Sequence, residues 1–208
     1  MPSTHSFDLS SLTERIIALR PRGIRTLVAL AGAPASGKST LAEQLSDALN
    51  AQGQGAALVP MDGFHLDNAI LQARELLARK GAPETFDAAG FIQLVRRLGT
   101  EPEVFVPLFD RRHDIAIAGA ARVGPEHRLV ILEGNYLLFD EQPWSQLVTH
   151  WDLSICLDVP LPELEARLIQ RWRDQGLGET AARNRALGND IPNALRIIER
   201  TLPADLRF

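Results

Sequence analysis

Cysteine is almost absent from this 208-residue chain, which contains only Cys156. A single cysteine cannot form an internal disulfide, and its apolar neighbours in WDLSICLDV predict a buried, unreactive side chain. The sequence therefore does not require an oxidising compartment. Since 45% of the residues are hydrophobic and 23% are charged, we expect apolar packing to hold the fold together.

Long apolar runs are absent as well. No stretch approaches the roughly 18 apolar residues that span a bilayer, and the first residues, MPSTHSFDLS, have no basic segment followed by an apolar block. We therefore expect no membrane association, no signal peptide and a cytoplasmic location. The chain also has no excess of positive charge, because its net charge is −4 and its isoelectric point is about 5.7. This balance argues against a nucleic-acid partner.

The length predicts one domain over residues 1–208. Apolar runs at 25–31, 55–60, 128–134 and 151–159 predict buried strands, and EPEVFVPLFDRRHDIAIAG predicts two short strands around a turn. Helices are predicted over 8–20, 38–52, 67–79, 87–99 and 161–175, with a further helical stretch to about residue 187. Because strands and helices alternate, we predict an α/β fold whose mostly parallel sheet carries helices on both faces. Ligands bind such sheets beyond the carboxyl ends of the strands.

Lysine is scarce, with Lys38 and Lys80 against twenty arginines, and Lys38 lies in the stretch GAPASGKST. This stretch matches the complete P-loop pattern, between an apolar run and a helical pattern. Its glycines let backbone N–H groups turn toward phosphate oxygens, and the lysine reaches the β- and γ-phosphates. We therefore predict a nucleoside triphosphate site formed by Gly32, Ala33, Ala35, Ser36, Gly37, Lys38, Ser39 and Thr40.

A P-loop does not identify the group that accepts the phosphate. Asp62 and Glu133 each follow a predicted buried strand, so both are expected at the sheet edge that carries the P-loop. Phosphoryl transfer needs Mg²⁺ ligands and a group that deprotonates the attacking hydroxyl. Ser39 and Glu133 are the candidate Mg²⁺ ligands, and Asp62 is the candidate base. A turn aspartate and a surface charge are the simpler interpretations of Asp62 and Glu133.

Several segments are similar to those of the small-molecule P-loop kinase family that contains uridine kinase, phosphoribulokinase and bacterial pantothenate kinase. They are the P-loop, MDGFH, KGAPETFD, VPLFDRR and ILEG, within a match over roughly residues 26–160. The stretches VPMDGFHLDN and NDIPNA most resemble the short bacterial proteins called nucleoside-kinase-like or fructose transport system kinase.

This resemblance implies a P-loop NTPase three-layer sandwich with a small helical lid, and ATP and Mg²⁺ as cofactors. It also implies that Asp62 is the catalytic aspartate and that Ser39 and Glu133 lie at Mg²⁺. A homodimer is expected at the level of the family.

The segments that follow Asp62 are expected to border the acceptor, because they offer polar and aromatic groups that suit a polyhydroxyl compound or a nucleoside. Arg111 is favoured over Arg112 by its place in FDRR. Phe86 is also explained as a core residue, and Asp87 as a helix cap. The predicted acceptor-binding residues are Asp62, His65, Phe86, Arg111 and His113, within an insertion at roughly residues 62–118.

Arginines cluster on the helix predicted after Pro162 and in the stretch RWRDQGLGETAARNR. A cover with arginines over the phosphates would exclude water and stabilise the charge of the transition state. We predict a lid at roughly residues 167–188, with Arg171 and Arg173 favoured over Arg167. A solvated basic helix face is the alternative. The stretch 188–190 with Asn193 either lines the adenine side of the site or forms a capped turn.

The sequence thus favours a phosphotransferase that moves the γ-phosphate of ATP to an alcohol group of a small molecule. Its predicted catalytic residues are Lys38, Asp62, Arg171 and Arg173. The acceptor stays open among a sugar such as fructose, a nucleoside and a pantothenate-like alcohol.

The alternative function is a P-loop ATPase or GTPase switch that uses water as the acceptor. The residues from Asp87 to Gly90 match the Asp-x-x-Gly pattern of such switches, but the sequence has no Asn-Lys-x-Asp guanine motif. A nucleotide-binding module without catalysis is a third possibility, and the intact P-loop and carboxylates argue against it.

Overall fold

Five parallel strands form the central sheet of this computed structural model, which describes residues 8–208. Residues 1–7, in the segment where we predict no signal peptide, lie outside the described part. The sheet has the order β2–β5–β1–β6–β7, so the strand that leads into the P-loop lies at its centre. The strands of the chain are β1 (Thr26–Gly32), β2 (Ala56–Pro60), β3 (Val104–Asp110), β4 (Ile115–Val123), β5 (Leu129–Gly134), β6 (Leu153–Leu157) and β7 (Leu206–Arg207).

Helices connect the parallel strands, as the alternating pattern predicted. The α-helices of the described part are α1 (Leu9–Ile17), α2 (Lys38–Ala51), α3 (Asn68–Ala73), α4 (Ala88–Thr100), α5 (Leu161–Asp174), α6 (Glu179–Arg185) and α7 (Ile191–Arg200). Shorter elements are the 3₁₀-helices Met61–Phe64, Leu77–Arg79, Pro83–Thr85 and Trp144–His150, and a π-helical turn at Ala186–Asp190.

Helices cover both faces of the central sheet. In β1, Val28 and Leu30 pack in one apolar cluster with α1 and α2. Leu27 and Ala29 pack in a second cluster with α4 and the 3₁₀-helix Trp144–His150. A strand that is apolar on both faces is typical of a buried parallel sheet. The predicted three-layer α/β fold is confirmed.

The hairpin formed by β3 and β4 is a separate antiparallel sheet, as the sequence predicted. It packs on the 3₁₀-helix Met61–Phe64 where two backbones approach closely, since a Cβ on Gly63 would lie 2.3 Å from the carbonyl oxygen of Pro107. Only glycine fits there without displacing the hairpin. This packing places the hairpin turn, which carries Arg111, beside Asp62.

The single cysteine and the helices have properties that bear on what the sequence lacks. Cys156 is buried in β6, which confirms the predicted core position, and burial raises the pKa of its thiol. None of the helices within residues 8–208 is long and apolar enough to cross a membrane.

The predicted helix over 67–79 is wrong beyond Ala73. The chain leaves the helix because Glu75 adopts a left-handed conformation, with a φ of +58°. The N–H of Leu76 then donates to the carbonyl of Leu71 at 2.8 Å, which completes a Schellman ending. Glycine normally occupies the left-handed position of this motif, so the glutamate gave no stop signal in the sequence.

Aspartates cap α3 and α4 at the predicted helix starts, but the predicted end of α4 is displaced. Asp67 and Asp87 accept hydrogen bonds from first-turn N–H groups of α3 and α4 at 2.8 and 2.9 Å. Gly99 does not end α4, which continues to Thr100. The carbonyl of Gly99 instead accepts the N–H of Ile24 at 3.0 Å, and this contact joins α4 to the chain before β1.

Helix α7 was not predicted, and the interpretation of 188–190 as a capped turn is wrong. A π-helical turn continues α6 into α7, and Pro192 is accommodated because it lies in the first turn of α7. Asn189 and Asn193 are each 2% exposed on the buried face of this segment. Polar residues at buried positions concealed the helical pattern.

Arg25 is buried just before β1, with 1% of its surface exposed. Burial lowers the pKa of its guanidinium, which nevertheless stays charged. The side chain connects the end of α4 and the turn before β5 to the start of the central strand. Its N–H groups donate, over 2.5 to 3.2 Å, to the backbone carbonyls of Leu98, Glu101, Pro102, Gly124 and His127.

We expect Arg25→Lys to lower the free energy of unfolding by about 2–4 kcal/mol, because an ammonium group has too few N–H donors to satisfy these carbonyls. Urea unfolding followed by circular dichroism measures the loss. Arg20→Lys, at an exposed position, is the matched control, with an expected change below about 0.5 kcal/mol. Equal losses in the two variants would contradict a structural role for Arg25.

Candidate active site

The phosphate-binding loop connects the end of β1 to the start of α2. Gly37 immediately precedes α2 and has a φ of +94°, a left-handed conformation that favours glycine. Ala35 is also left-handed, with a φ of +63°. The first N–H groups of α2 have no partner within the helix, and they face the inside of this loop. The loop therefore provides a concave anion site at the carboxyl edge of the central strand.

A cavity of about 370 Å³ opens at this edge and contains most of the predicted site. The phosphate-binding loop, the 3₁₀-helix Met61–Phe64, the hairpin turn and α5 contribute to its walls. The predicted site residues that line it are Ala35, Gly37, Lys38, Ser39, Thr40, Asp62, His65, Phe86, Arg111, Glu133 and Arg171.

The remaining predicted site residues do not line the cavity. Gly32, Ala33 and Ser36 form the base of the loop, where a Cβ on Gly32 would lie 2.7 Å from the Oγ of Ser36. Arg173 pairs with a glutamate of α6 at 3.2 Å, and His113 pairs with the preceding aspartate of the hairpin at 2.7 Å. The catalytic role of Arg173 and the acceptor role of His113 stay predictions.

Opposite charges meet at the floor of the cavity. Glu133, at the end of β5, is 4% exposed, and burial raises the pKa of its carboxyl while Lys38 acts against this shift. Burial lowers the pKa of the Lys38 ammonium, and the carboxylates of Glu133 and Asp62 act against that shift. Lys38 is surrounded by protein except where it faces the cavity. A charged ligand on the floor of the cavity would contact the ammonium of Lys38 and the carboxylates of Glu133 and Asp62, which lie at or after the ends of three neighbouring strands.

Oxygen atoms suited to Mg²⁺ are present beside Lys38. The Oε2 of Glu133 is buried and has no hydrogen-bond partner within residues 8–208. Ser39, in the first turn of α2, is close enough to lower the pKa of Glu133 by hydrogen bonding. Carboxylate and hydroxyl oxygens suit a hard cation, so these two residues could hold Mg²⁺. Within residues 8–208, no group of three or more His, Cys, Asp or Glu side chains is arranged so that it could hold a metal ion by itself.

Asp62 lies in the 3₁₀-helix that follows β2, and its carboxylate faces the cavity. The Nη2 of Arg111 donates to its Oδ2 at 3.1 Å from the hairpin turn. The arginine thereby orients a carboxylate that belongs to a different segment of the fold.

His65 forms an aromatic wall of the cavity with Phe86 and Phe109. Its ring centroid lies 4.1 Å from that of Phe86 and 4.6 Å from that of Phe109. The Nδ1 of His65 lies 2.8 Å from the carbonyl oxygen of Asp62, and because a carbonyl only accepts, Nδ1 carries the proton. Burial lowers the pKa of His65, so its Nε2 is an unprotonated acceptor at neutral pH.

Lys80, the second lysine, lines the same cavity and fixes the hairpin turn. Its Nζ donates to the side-chain oxygen of Asn68 at 2.7 Å and to the backbone oxygen of Asp114 at 3.0 Å. It also lies 2.8 Å from Oδ1 of Asp114. No site role was predicted for Lys80, although the scarcity of lysine was a signal. Phe109, Asp114, Asn135 and Trp172 also line the cavity without prior prediction.

The helical segment from α5 to α7 forms the other wall of the cavity. The indole N–H of Trp172 donates to Oδ2 of Asp190 at 2.5 Å, and the guanidinium of Arg185 lies 5.2 Å from the centre of the indole ring. Asn189 donates to the carbonyl of Lys80 at 2.9 Å. Helices α5 to α7 are therefore connected to the segment that holds the hairpin turn.

The residues predicted for the adenine side do not form a separate surface. Asp190 and Asn193 line the same cavity as Asp62. The side-chain oxygen of Asn193 also accepts a hydrogen bond from Arg79 at 3.1 Å. An adenine contact for this stretch stays a prediction.

Asp87 does not line the cavity, although it matches the Asp-x-x-Gly pattern of nucleotide switches. Its side chain accepts the N–H of Gly90 and begins α4. A helix cap explains the pattern without a bound nucleotide.

Comparisons with known proteins point to one family. The sequence profile of the Phosphoribulokinase / Uridine kinase family matches residues 27–177. A crystal structure from Silicibacter sp. TM1040, provisionally described as a fructose transport system kinase, superimposes with a TM-score of 0.93. The two chains are 57% identical, and the match covers 98% of this chain and 100% of the other.

Two curated relatives are also similar. A Schizosaccharomyces pombe protein, provisionally described as a uridine kinase, is 35% identical over 211 residues, which cover 97% of this chain and 88% of the relative. The ATP-dependent kinase YFH7 of Lachancea thermotolerans is 32% identical over 192 residues, which cover 72% of this chain and 55% of the relative.

We expect Trp172→Phe to lower the free energy of unfolding by about 1–3 kcal/mol at neutral pH, because it removes the N–H donor of the half-buried carboxylate of Asp190. Burial already raises the pKa of Asp190 and the indole N–H acts against this rise, so the variant should raise the pKa further. An ionised Asp190 destabilises the folded variant. The loss should therefore shrink as pH falls toward the ordinary aspartate pKa of about 3.9.

Urea unfolding at several pH values measures this effect. The control is a double-mutant cycle with Asp190→Asn, in which the amide carries no charge and the effect of Trp172→Phe should be smaller. Additive losses, or a loss that does not change with pH, would exclude the proposed interaction.

Proposed function

The chain belongs to the phosphoribulokinase and uridine kinase family and is a P-loop kinase, and from this premise we propose that it transfers the γ-phosphate of ATP to a hydroxyl group of a small metabolite. One observation carries the proposal: a phosphate-binding loop, a buried carboxylate and a second carboxylate meet in one cavity. The proposed acceptor is a sugar such as fructose, a nucleoside or a pantothenate-like alcohol.

In this proposal the backbone N–H groups of the loop and Lys38 bind the triphosphate. The position of Lys38 in the cavity supports this assignment, together with the two carboxylates that keep its ammonium charged. Ser39 and Glu133 hold Mg²⁺, which neutralises charge on the phosphate oxygens when it is bound. The unpartnered Oε2 of Glu133 supports this role.

Asp62 accepts the proton of the acceptor hydroxyl as that oxygen attacks the γ-phosphate. Arg111 supports this role by holding one carboxylate oxygen, Oδ2, and leaving the other available. Arg171 stabilises the charge of the transferred phosphoryl group. Its position supports this, because Arg171 lines the cavity and its charge lowers the pKa of Lys38.

We expect Asp62→Asn to lower kcat by about 10²- to 10⁴-fold with little change in ATP affinity, because an amide cannot take the hydroxyl proton. ADP release is measured with ATP and Mg²⁺ across sugars, nucleosides and pantothenate, and nucleotide binding is measured by calorimetry. Asp47→Asn, at an exposed position of α2, is the matched control and should retain full activity. ADP release that needs no acceptor and is unchanged by Asp62→Asn would instead indicate that water is the acceptor.

We expect Glu133→Gln to raise the Mg²⁺ concentration for half-maximal activity by about 10- to 100-fold, since the amide is a weaker ligand for a hard cation. Titration of Mg²⁺ at fixed ATP measures the change. Glu43→Gln, on the exposed face of α2, tests whether loss of any nearby charge has the same effect. An unchanged Mg²⁺ dependence in Glu133→Gln would remove this residue from the metal site.

A further inference from the structure

The acceptor end of the cavity is formed by His65, Lys80, Phe86, Phe109 and Asp114, which are in contact with one another. Lys80 lies 5.1 Å from the centre of the Phe109 ring, so charged and aromatic groups belong to the same wall. The groups in this wall determine whether a charged or an uncharged molecule can bind against it. A buried carboxylate or phosphate needs a cation or several N–H donors to replace its water.

Lys80 has no N–H donor left for such an anion. An ammonium has three donors, and three oxygen atoms surround this one at 2.7, 2.8 and 3.0 Å. Its charge is balanced by Asp114, which is anchored in turn by the side-chain amide of Asn68 at 2.8 Å. The side chain of Lys80 is only 11% exposed, which leaves little room for another partner.

Each arginine of the cavity has a protein partner or a role at the transferred phosphate. Arg111 pairs with Asp62, so an anion that took Arg111 would compete with the proposed base. Arg185 donates to the carbonyl of Ala78 at 3.1 Å and packs on Trp172. Arg171 has no ion-pair or hydrogen-bond partner in the described chain, and in the proposed function this cavity-lining arginine is occupied by the transferred phosphoryl group.

Besides these cations, the acceptor end of the cavity offers hydrogen-bond acceptors. They include the Nε2 of His65 and one carboxylate oxygen of Asp62. The Oδ1 of Asn135 is buried, and nothing within residues 8–208 donates to it. Hydroxyl groups donate to such atoms, whereas a carboxylate or a phosphate dianion cannot. The rings of Phe86 and Phe109 offer apolar surface for carbon-bound hydrogens.

From this balance we propose that the acceptor is an uncharged polyhydroxyl compound, and that the site discriminates against alcohols that carry a carboxylate or a phosphate. The proposal rests on the proposed kinase function and narrows its substrate class. A pantothenate-like acid is thereby excluded from the three acceptor classes, while a free sugar and a nucleoside remain.

Acceptor-dependent ADP release tests the proposal with pairs of compounds that differ in one anionic group. The pairs are fructose and fructose 6-phosphate, pantothenol and pantothenate, and uridine and uridine 5′-monophosphate, each up to about 10 mM, above the usual range of KM. We expect a neutral compound to be preferred over its anionic partner by at least about tenfold in kcat/KM. Preference for an anionic compound, or equal use of both, overturns the proposal. No stimulation by any compound overturns the kinase function itself.

A variant of the acceptor wall provides a second measurement. Asp114→Asn keeps the shape and the left-handed conformation of the turn, in which Asp114 has a φ of +59°, but leaves the charge of Lys80 unbalanced. We expect the preference for the neutral compound to fall by about tenfold. Glu103→Gln removes the same charge from the exposed end of the hairpin and should leave the preference unchanged. Equal preference ratios in Asp114→Asn and the wild type would overturn the role of the Lys80 charge balance.

Discussion

The ammonium of Lys38 has to stay charged in a place that protein surrounds on most sides. Burial alone would favour the neutral amine, and the carboxylates of Glu133 and Asp62 counteract this effect. The pKa of Glu133 is shifted in the opposite direction, since burial favours its protonated form and Lys38 opposes that change. The three groups depend on one another, and a parallel sheet brings them together because the carboxyl ends of its strands share one edge.

A second set of contacts supports the wall of the cavity and is centred on residues 78–81. Lys80 holds the hairpin turn through Asp114, and its carbonyl accepts a hydrogen bond from Asn189 in the helical wall. The hydroxyl of Tyr136, which follows β5, donates to the carbonyl of Gly81 at 2.6 Å. One short segment therefore sets the relative positions of the hairpin, the helices and the sheet edge.

The parts of the fold that the sequence predicted well have local causes. The P-loop, the apolar strands and the aspartate caps each need only a few neighbouring residues, and all of them are present. The errors have local causes too, since Glu75 occupies a left-handed position that usually carries glycine, and buried Asn189 and Asn193 conceal the helical pattern before α7. Those asparagines are tolerated inside because their side chains find partners in a distant segment.

The sequence by itself determined the layered α/β fold, the phosphate-binding loop and the strand ends that carry Asp62 and Glu133, because periodicity and short motifs encode these features locally. Only the tertiary structure decided which side chains share the cavity. It paired Arg111 with Asp62, placed Lys80 and Asp114 in the wall of the cavity, and kept Arg173 outside. The physical reason is that the contacts of Arg111 and Lys80 join residues tens of positions apart. The packing of the hairpin and the helices determines which residues these side chains contact, and a local sequence pattern cannot predict that packing.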